Sequence, residues 1–174
     1  MSITRLNHAV LYVRDVKRSV DFYSRVLGFH VVSDMASLPG AAFLQASGSS
    51  NDHDLGLFEV GAGAGPSLAG KQTVGLYHLA WEVDTLAELQ RMETALADAG
   101  ALVGASDHAT TKALYGADPD GIEFEVSWLV PADLITDVTR SGRTRIRPLD
   151  IAAEIDRYGA DTRGGVGISH AALT

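Results

Sequence analysis

The sequence predicts an α+β protein made of two βαβββ modules, joined in a cup-shaped, mixed but mostly antiparallel sheet with the helices outside. Three observations predict it. Hydrophobic periodicity alternates between two residues and 3.6 residues in the same order twice along the chain. The runs "LNHAVLYV" and "LYHLAWEV" align with His8 over His78. The runs "LFEV" and "EFEV" align with Glu59 over Glu125.

Module one is expected over residues 3–60. "RLNHAVLYV" (5–13) reads as a strand because it is rich in β-branched and aromatic residues. Asp15 is placed to cap "VKRSVDFYSRVLGF", where Val16, Val20, Tyr23 and Leu27 recur at helical spacing and Gly28 stops the helix. "FHVVSDM", "GAAFLQAS" and "DHDLGLFEV" follow as three short strands. Residues 61–72, "GAGAGPSLAGKQ", have a linker composition. Module two spans 73–128. "GLYHLAWEV" (75–83) is its first strand, and Asp84 is placed to cap a helix with Leu89, Met92, Leu96 and Ala99 on one stripe, ended by Gly100. "LVGASDH", "TKALYGAD" and "GIEFEV" are the closing strands, the last two joined by the turn "DPDG" (118–121). Residues 129–174 form a C-terminal extension without the module pattern, in which "PLDIAAEIDRYG" has the period of a short helix.

Composition narrows the function. The chain has 174 residues, 46% of them apolar, and a formal net charge of −8. That balance, with no Lys/Arg cluster before residue 140, argues against nucleic acid as a partner. "RSGRTRIR" (140–147) is basic and reads as a solvated or partner-facing segment. The absence of cysteine rules out disulfides, thiolate nucleophiles and zinc–thiolate sites. "MSITRLNHAV" lacks a signal-peptide pattern, and no run reaches the ~18 apolar residues of a membrane span. The expectation is a cytoplasmic protein without membrane contact.

Side chains alternate along strands, so each strand has two faces. The more apolar faces are expected to carry the helices, with Phe58 and Phe124 among them. The opposite faces then bring His8, His78, Glu59 and Glu125 towards one cavity. A single strand histidine is more often hydrogen-bonded than ligating, and a strand glutamate is more often solvated. The repetition gives the four residues weight. Two imidazoles and a carboxylate on one face of a divalent metal make the facial triad of non-haem Fe(II) oxygenases. A second carboxylate suits Lewis-acid chemistry instead.

"LNHAVLYVRDVKRSVDFYSRVLGF", "YHLAWEV" and "DPDGIEFEV" resemble the vicinal oxygen chelate superfamily, which includes glyoxalases, bleomycin-binding proteins and extradiol dioxygenases. The resemblance covers residues 3–128 and implies paired βαβββ modules. It implies that His8, His78 and Glu125 hold a metal, with Glu59 a candidate fourth ligand as in glyoxalase I. "DHDLGLF" (52–58) and "SDHATTKALYGADPDG" resemble small two-module extradiol enzymes. That likeness implies His108 as the acid/base and Tyr115 as a hydrogen-bond partner of substrate, and imidazole as a residue type suits proton transfer near neutrality. His53 is placed outside the ligand set.

The leading expectation is therefore an oxidoreductase of aromatic compound catabolism, an extradiol-type dioxygenase binding Fe(II), a small catechol-like aromatic and dioxygen. Mn, Ni and Zn are the alternative metals, and dimers or higher homo-oligomers the expected assembly. The alternatives are a glyoxalase-like isomerase or lyase that uses Glu59, and a non-enzymatic protein that binds a small molecule.

Overall fold

The structure is a computed structural model. It describes residues 2–33, 38–69 and 72–170, which form two compact units. The first comprises Met1–Ser67 together with Asp118–Gly121, the second Leu68–Ala117 together with Ile122–Thr174.

The first unit contains β1 (Ala9–Val13), α1 (Val16–Arg25), β2 (His30–Val31), β3 (Ala41–Gln45) and β4 (Leu55–Glu59). The sheet order is β1-β4-β3-β2, with β1 and β4 parallel and the other pairs antiparallel. The "FHVVSDM" strand is thus short: β2 covers His30–Val31, and Asp34 and Met35 lie outside the described residues. Helix α1 starts where the Asp15 carboxylate accepts the Arg18 N–H at 2.9 Å. It ends before Gly28, whose φ of 77° a side chain would resist. The helix packs on β2, β3 and β4. Leu11, Val13, Leu44, Leu55 and Leu57 are buried on that face of the sheet, with Phe22, Tyr23, Leu27 and Phe29 against them.

The pairing of β1 with β4 corrects one expected orientation. Tyr12 stands opposite Phe58, and Val13 opposite Glu59. Val13 is buried and Tyr12 is 75% exposed, so Phe58 lies on the open face and Glu59 on the face that carries α1. Both faces of "LGLFEV" are apolar, so alternation by itself could not choose between them.

Asp120 is the electrostatic centre of this unit. It accepts the Arg14 backbone N–H at 2.9 Å and the Arg14 guanidinium at 2.8 Å, and it also pairs with Arg18. Burial pushes its carboxyl up, but the Arg14 hydrogen bonds and the charges of Arg18 and Arg14 outweigh this and hold it below the ordinary 3.8. A depressed carboxylate contributes stability above its unfolded value and loses it as pH falls through the folded one. Asp120→Asn therefore costs about 1–2 kcal/mol at neutral pH and flattens the loss of stability below pH 3.8. Urea midpoints measured from pH 7 to pH 2.5 check this; parallel curves for variant and wild type would refute it.

The second unit repeats the plan with β5 (His78–Glu82), α2 (Leu86–Asp98), β6 (Leu102–Asp107), β7 (Thr111–Ala117) and β8 (Glu123–Leu129). The order is β5-β8-β7-β6, and β5 and β8 are the parallel pair. The cap of α2 is Thr85, whose hydroxyl accepts the Glu88 N–H at 3.2 Å, and not Asp84. Asp84 instead offers its carbonyl to Gly164 at 2.8 Å. Leu86, Leu89, Met92 and Leu96 of α2 are buried, as are Leu79, Leu114, Phe124, Val126 and Trp128 of the sheet. Gly116 is needed there: a Cβ on it would fall 2.5 Å from the Phe124 ring.

Residues beyond β8 belong to this unit. They include α3 (Asp137–Gly142) and α4 (Ile151–Tyr158), and α4 packs on α2. The following strand of backbone is pinned by Gly164 to Asp84 and by the Gly165 N–H to the Leu129 carbonyl at 3.1 Å. Both βαβββ copies are thus present as open, mixed four-stranded sheets. Among the described residues no helix is long and apolar enough to cross a membrane.

Candidate active site

β5 and β8 run side by side with Ala80 opposite Glu125. Leu79, Phe124 and Val126 are buried on the helix face, so strand alternation sends His78 and Glu125 to the other face. Their side chains meet there, with His78 Nε2 3.4 Å from Glu125 Oε2. His78 Nδ1 is buried and has no hydrogen-bond partner among the described residues.

β7 brings the next two residues. Tyr115 is directly across from Glu125, and its ring centroid is 5.9 Å from that of His78. His108, in the turn between β6 and β7, puts Nε2 3.0 Å from the Tyr115 hydroxyl. Glu125, His78, Tyr115 and His108 therefore form one continuous row within the second unit. Burial, then the charge of Glu125 and the neighbouring Tyr77, raise the Tyr115 phenol above its ordinary 10.0. It keeps its proton at neutral pH and stands beside His108 as a neutral hydroxyl. Tyr77 completes the row as an exposed ring 4.7 Å from His78. Sequence reading missed it because alternation puts it in phase with Leu79, on the face opposite His78; its position beside a candidate ligand in "LYHLAWEV" was the available signal.

In the first unit His8 lies just before β1, in phase with the exposed Val10 and Tyr12. Its Nδ1 is 2.7 Å from Asn7 Oδ1, and its ring is 4.5 Å from that of His53. His53 in turn packs against Phe43, and Phe43 against Phe58. Among the described residues no three His, Cys, Asp or Glu side chains group closely enough to hold a metal. The pair His78–Glu125 fits a metal in kind, since it offers an imidazole and a carboxylate and includes a buried, unpartnered ring nitrogen.

The registers also revise the alignment of the two modules. Val10 pairs with Gly56, and Gly56 with Phe43. In the second sheet Ala80 pairs with Glu125, and Glu125 with Tyr115. Gly56, not Glu59, therefore occupies the place of Glu125, and Phe43 that of Tyr115. Glu59 instead accepts the Val16 N–H at 3.0 Å, at the start of α1.

The model of the Glyoxalase/Bleomycin resistance protein/Dioxygenase superfamily matches residues 5–126. The chain belongs to this superfamily. A catechol-2,3-dioxygenase from Bacillus subtilis is 33% identical over 123 residues, 71% of this chain and 41% of that protein. The chain thus spans about two fifths of that relative's length. A biphenyl-2,3-diol 1,2-dioxygenase from Rhodococcus globerulus is 32% identical over 141 residues, covering 79% of this chain and 71% of the relative. Among solved structures, a domain of the same superfamily from Frankia sp. EAN1pec matches with a TM-score of 0.61 and 25% identity, covering 75% of this chain and 96% of that one. These similarities agree with the α+β architecture of paired modules read from the sequence.

Proposed function

We propose that the protein is an extradiol-type dioxygenase that opens the ring of a catechol-like aromatic. The observation that carries the reading is the row Glu125–His78–Tyr115–His108, in which two metal-type donors adjoin a phenol and an imidazole at hydrogen-bond distance. Two relatives named as dioxygenases of vicinal diols support it. His78 and Glu125 hold the metal, taken as Fe(II), and the resemblance supplies His8 as the third donor; the iron content of His8→Ala tests that assignment. Bound Fe(II) supplies the one-electron chemistry that lets a catechol react with dioxygen.

The remaining roles belong to the chain. His108 accepts a catechol proton and returns it to the developing product, which general acid–base catalysis asks of an imidazole within reach of its partner. Tyr115 keeps its own proton, and its hydroxyl, 3.0 Å from His108 Nε2, orients the imidazole. The exposed Tyr77 ring offers an aromatic surface next to His78.

Anaerobic loading with Fe(II), followed by oxygen uptake against a panel of catechols, tests the reading. Uptake with a yellow ring-opened product is expected for at least one catechol. Iron-loaded protein that consumes no oxygen with any of them would overturn it. Glu59 is given no catalytic part, because its carboxylate is engaged at the start of α1. Glu59→Gln is expected to keep turnover within about threefold of wild type while costing about 0.5 kcal/mol of stability. Loss of turnover in that variant, with iron retained, would show that Glu59 does have a part in the reaction.

A further inference from the structure

The residue least expected from the sequence is Lys112. It points to the helix-bearing face of β7, opposite Asp107 of β6, and its side chain is 0% exposed. An ammonium is retained in such a place only with its charge paired. Two carboxylates do this: Asp107 Oδ1 at 2.5 Å and Glu154 Oε2 at 3.0 Å. Glu154 is on α4, in the C-terminal extension, and Tyr158 of the same helix sets its ring 5.9 Å from the ammonium.

Asp107 is also the residue before His108. The oxygen that meets Lys112 accepts the Ala109 N–H at 2.7 Å. Ala109 has a φ of 65°, a left-handed conformation that a residue with a Cβ rarely adopts unless it is held. The turn is closed by the His108 N–H on the Thr111 carbonyl at 2.9 Å and the Thr110 N–H on the His108 carbonyl at 2.8 Å. Asp107 is anchored from the other side by paired backbone bonds to Arg147. His108 thus sits on a turn shaped by the Asp107 carboxylate, and Lys112 divides its charge between that carboxylate and Glu154. Without Glu154 the ammonium has one counter-charge left, and it competes with the Ala109 N–H for the same oxygen.

We propose that Glu154 is a positioning residue for His108, acting through the buried Lys112 and Asp107 to hold the 108–110 turn so that the imidazole meets the Tyr115 hydroxyl. The C-terminal helix is thereby part of the catalytic apparatus. The consequence for turnover rests on the dioxygenase reading; the positioning does not.

The test is Glu154→Gln in the full chain, which keeps the shape and removes the charge. Hydrogen exchange of the Ala109 amide is expected to accelerate about tenfold, and the His108 ring NMR signals to move, while amides of β1, β3 and β4 stay as they are. With a catechol, kcat is expected to fall about tenfold with KM within about twofold. In a His108→Ala background, Glu154→Gln is expected to have no further effect on kcat, because the two residues act as one unit. Glu154→Asp retains the charge at shorter reach, gives intermediate values, and carries the same readouts if the glutamine variant does not fold. A folded variant with wild-type Ala109 exchange and His108 signals overturns the proposal, even if catechols are turned over. Altered exchange and ring signals in a protein that consumes no oxygen uphold the positioning and remove the dioxygenase reading.

Discussion

Replacement of His78 by alanine is expected to abolish ring cleavage, lowering kcat/KM by roughly a thousandfold or more. That is the loss of several kcal/mol of metal-derived stabilisation at 1.36 kcal/mol per factor of ten. Bound iron should fall in parallel. The reasons are local. His78 offers one ring nitrogen 3.4 Å from Glu125 and another that is buried with no hydrogen-bond partner among the described residues, so the imidazole is not committed to holding the fold together. Its ring contacts are with Tyr77 and Tyr115, and the nearby rings of those two residues limit the damage of losing it. The variant should therefore remain folded, with a thermal midpoint near that of the metal-free wild type. Iron content by elemental analysis, together with oxygen uptake, checks both halves of the expectation. Wild-type iron and activity in His78→Ala would remove His78 from the ligand set, and with it the proposed site.

Trp128→Ala is expected to be the most damaging change to stability, costing about 3–5 kcal/mol. Trp128 is fully buried on the helix face of β8. Its ring is 5.5 Å from that of Tyr158 on α4, and its Nε1–H donates to the Thr162 carbonyl at 3.2 Å. Gly164 passes so close that a Cβ on it would lie 2.5 Å from Trp128 Nε1. Truncation therefore removes a large apolar surface and leaves the Thr162 carbonyl without its donor, and it does both beneath the C-terminal extension. Trp128→Phe keeps most of the area and loses the N–H, at about 1 kcal/mol. Denaturant midpoints measure the costs. Limited proteolysis should show the extension cut sooner in the alanine variant. A cost under 1 kcal/mol for Trp128→Ala would mean that this contact does not hold the extension down.

The candidate site was partly legible in the sequence. His78 and Glu125 were marked by the repeat, and Tyr115 and His108 by the resemblance; the structure brings all four together because β5, β8 and β7 are neighbours and His108 lies in the turn that leads into β7. Lys112 was not legible. In "TKALYGAD" it reads as an ordinary surface lysine, and only the packing of α4, some forty positions further on, turns it into a buried charge with two counter-ions. The docking of the extension was equally silent, because it rests on backbone bonds at Gly164 and Gly165 and on side-chain contacts such as Tyr158 with Trp128, made between residues far apart in the chain.

By itself the sequence determined the repeated βαβββ order, the Asp15 cap, the glycines that end the helices and the set of residues sharing each strand face. These follow from local sterics and periodicity, which act over a few residues. Tertiary structure decided which face of each strand received a helix and which residues became neighbours across strands. "LFEV" and "EFEV" look equivalent as letters, yet pairing puts Phe58 and Glu125 on open faces and Glu59 and Phe124 on helix faces. A shift of an odd number of residues in register reverses every side chain. Register is set by contacts between distant strands, which no short run of letters records.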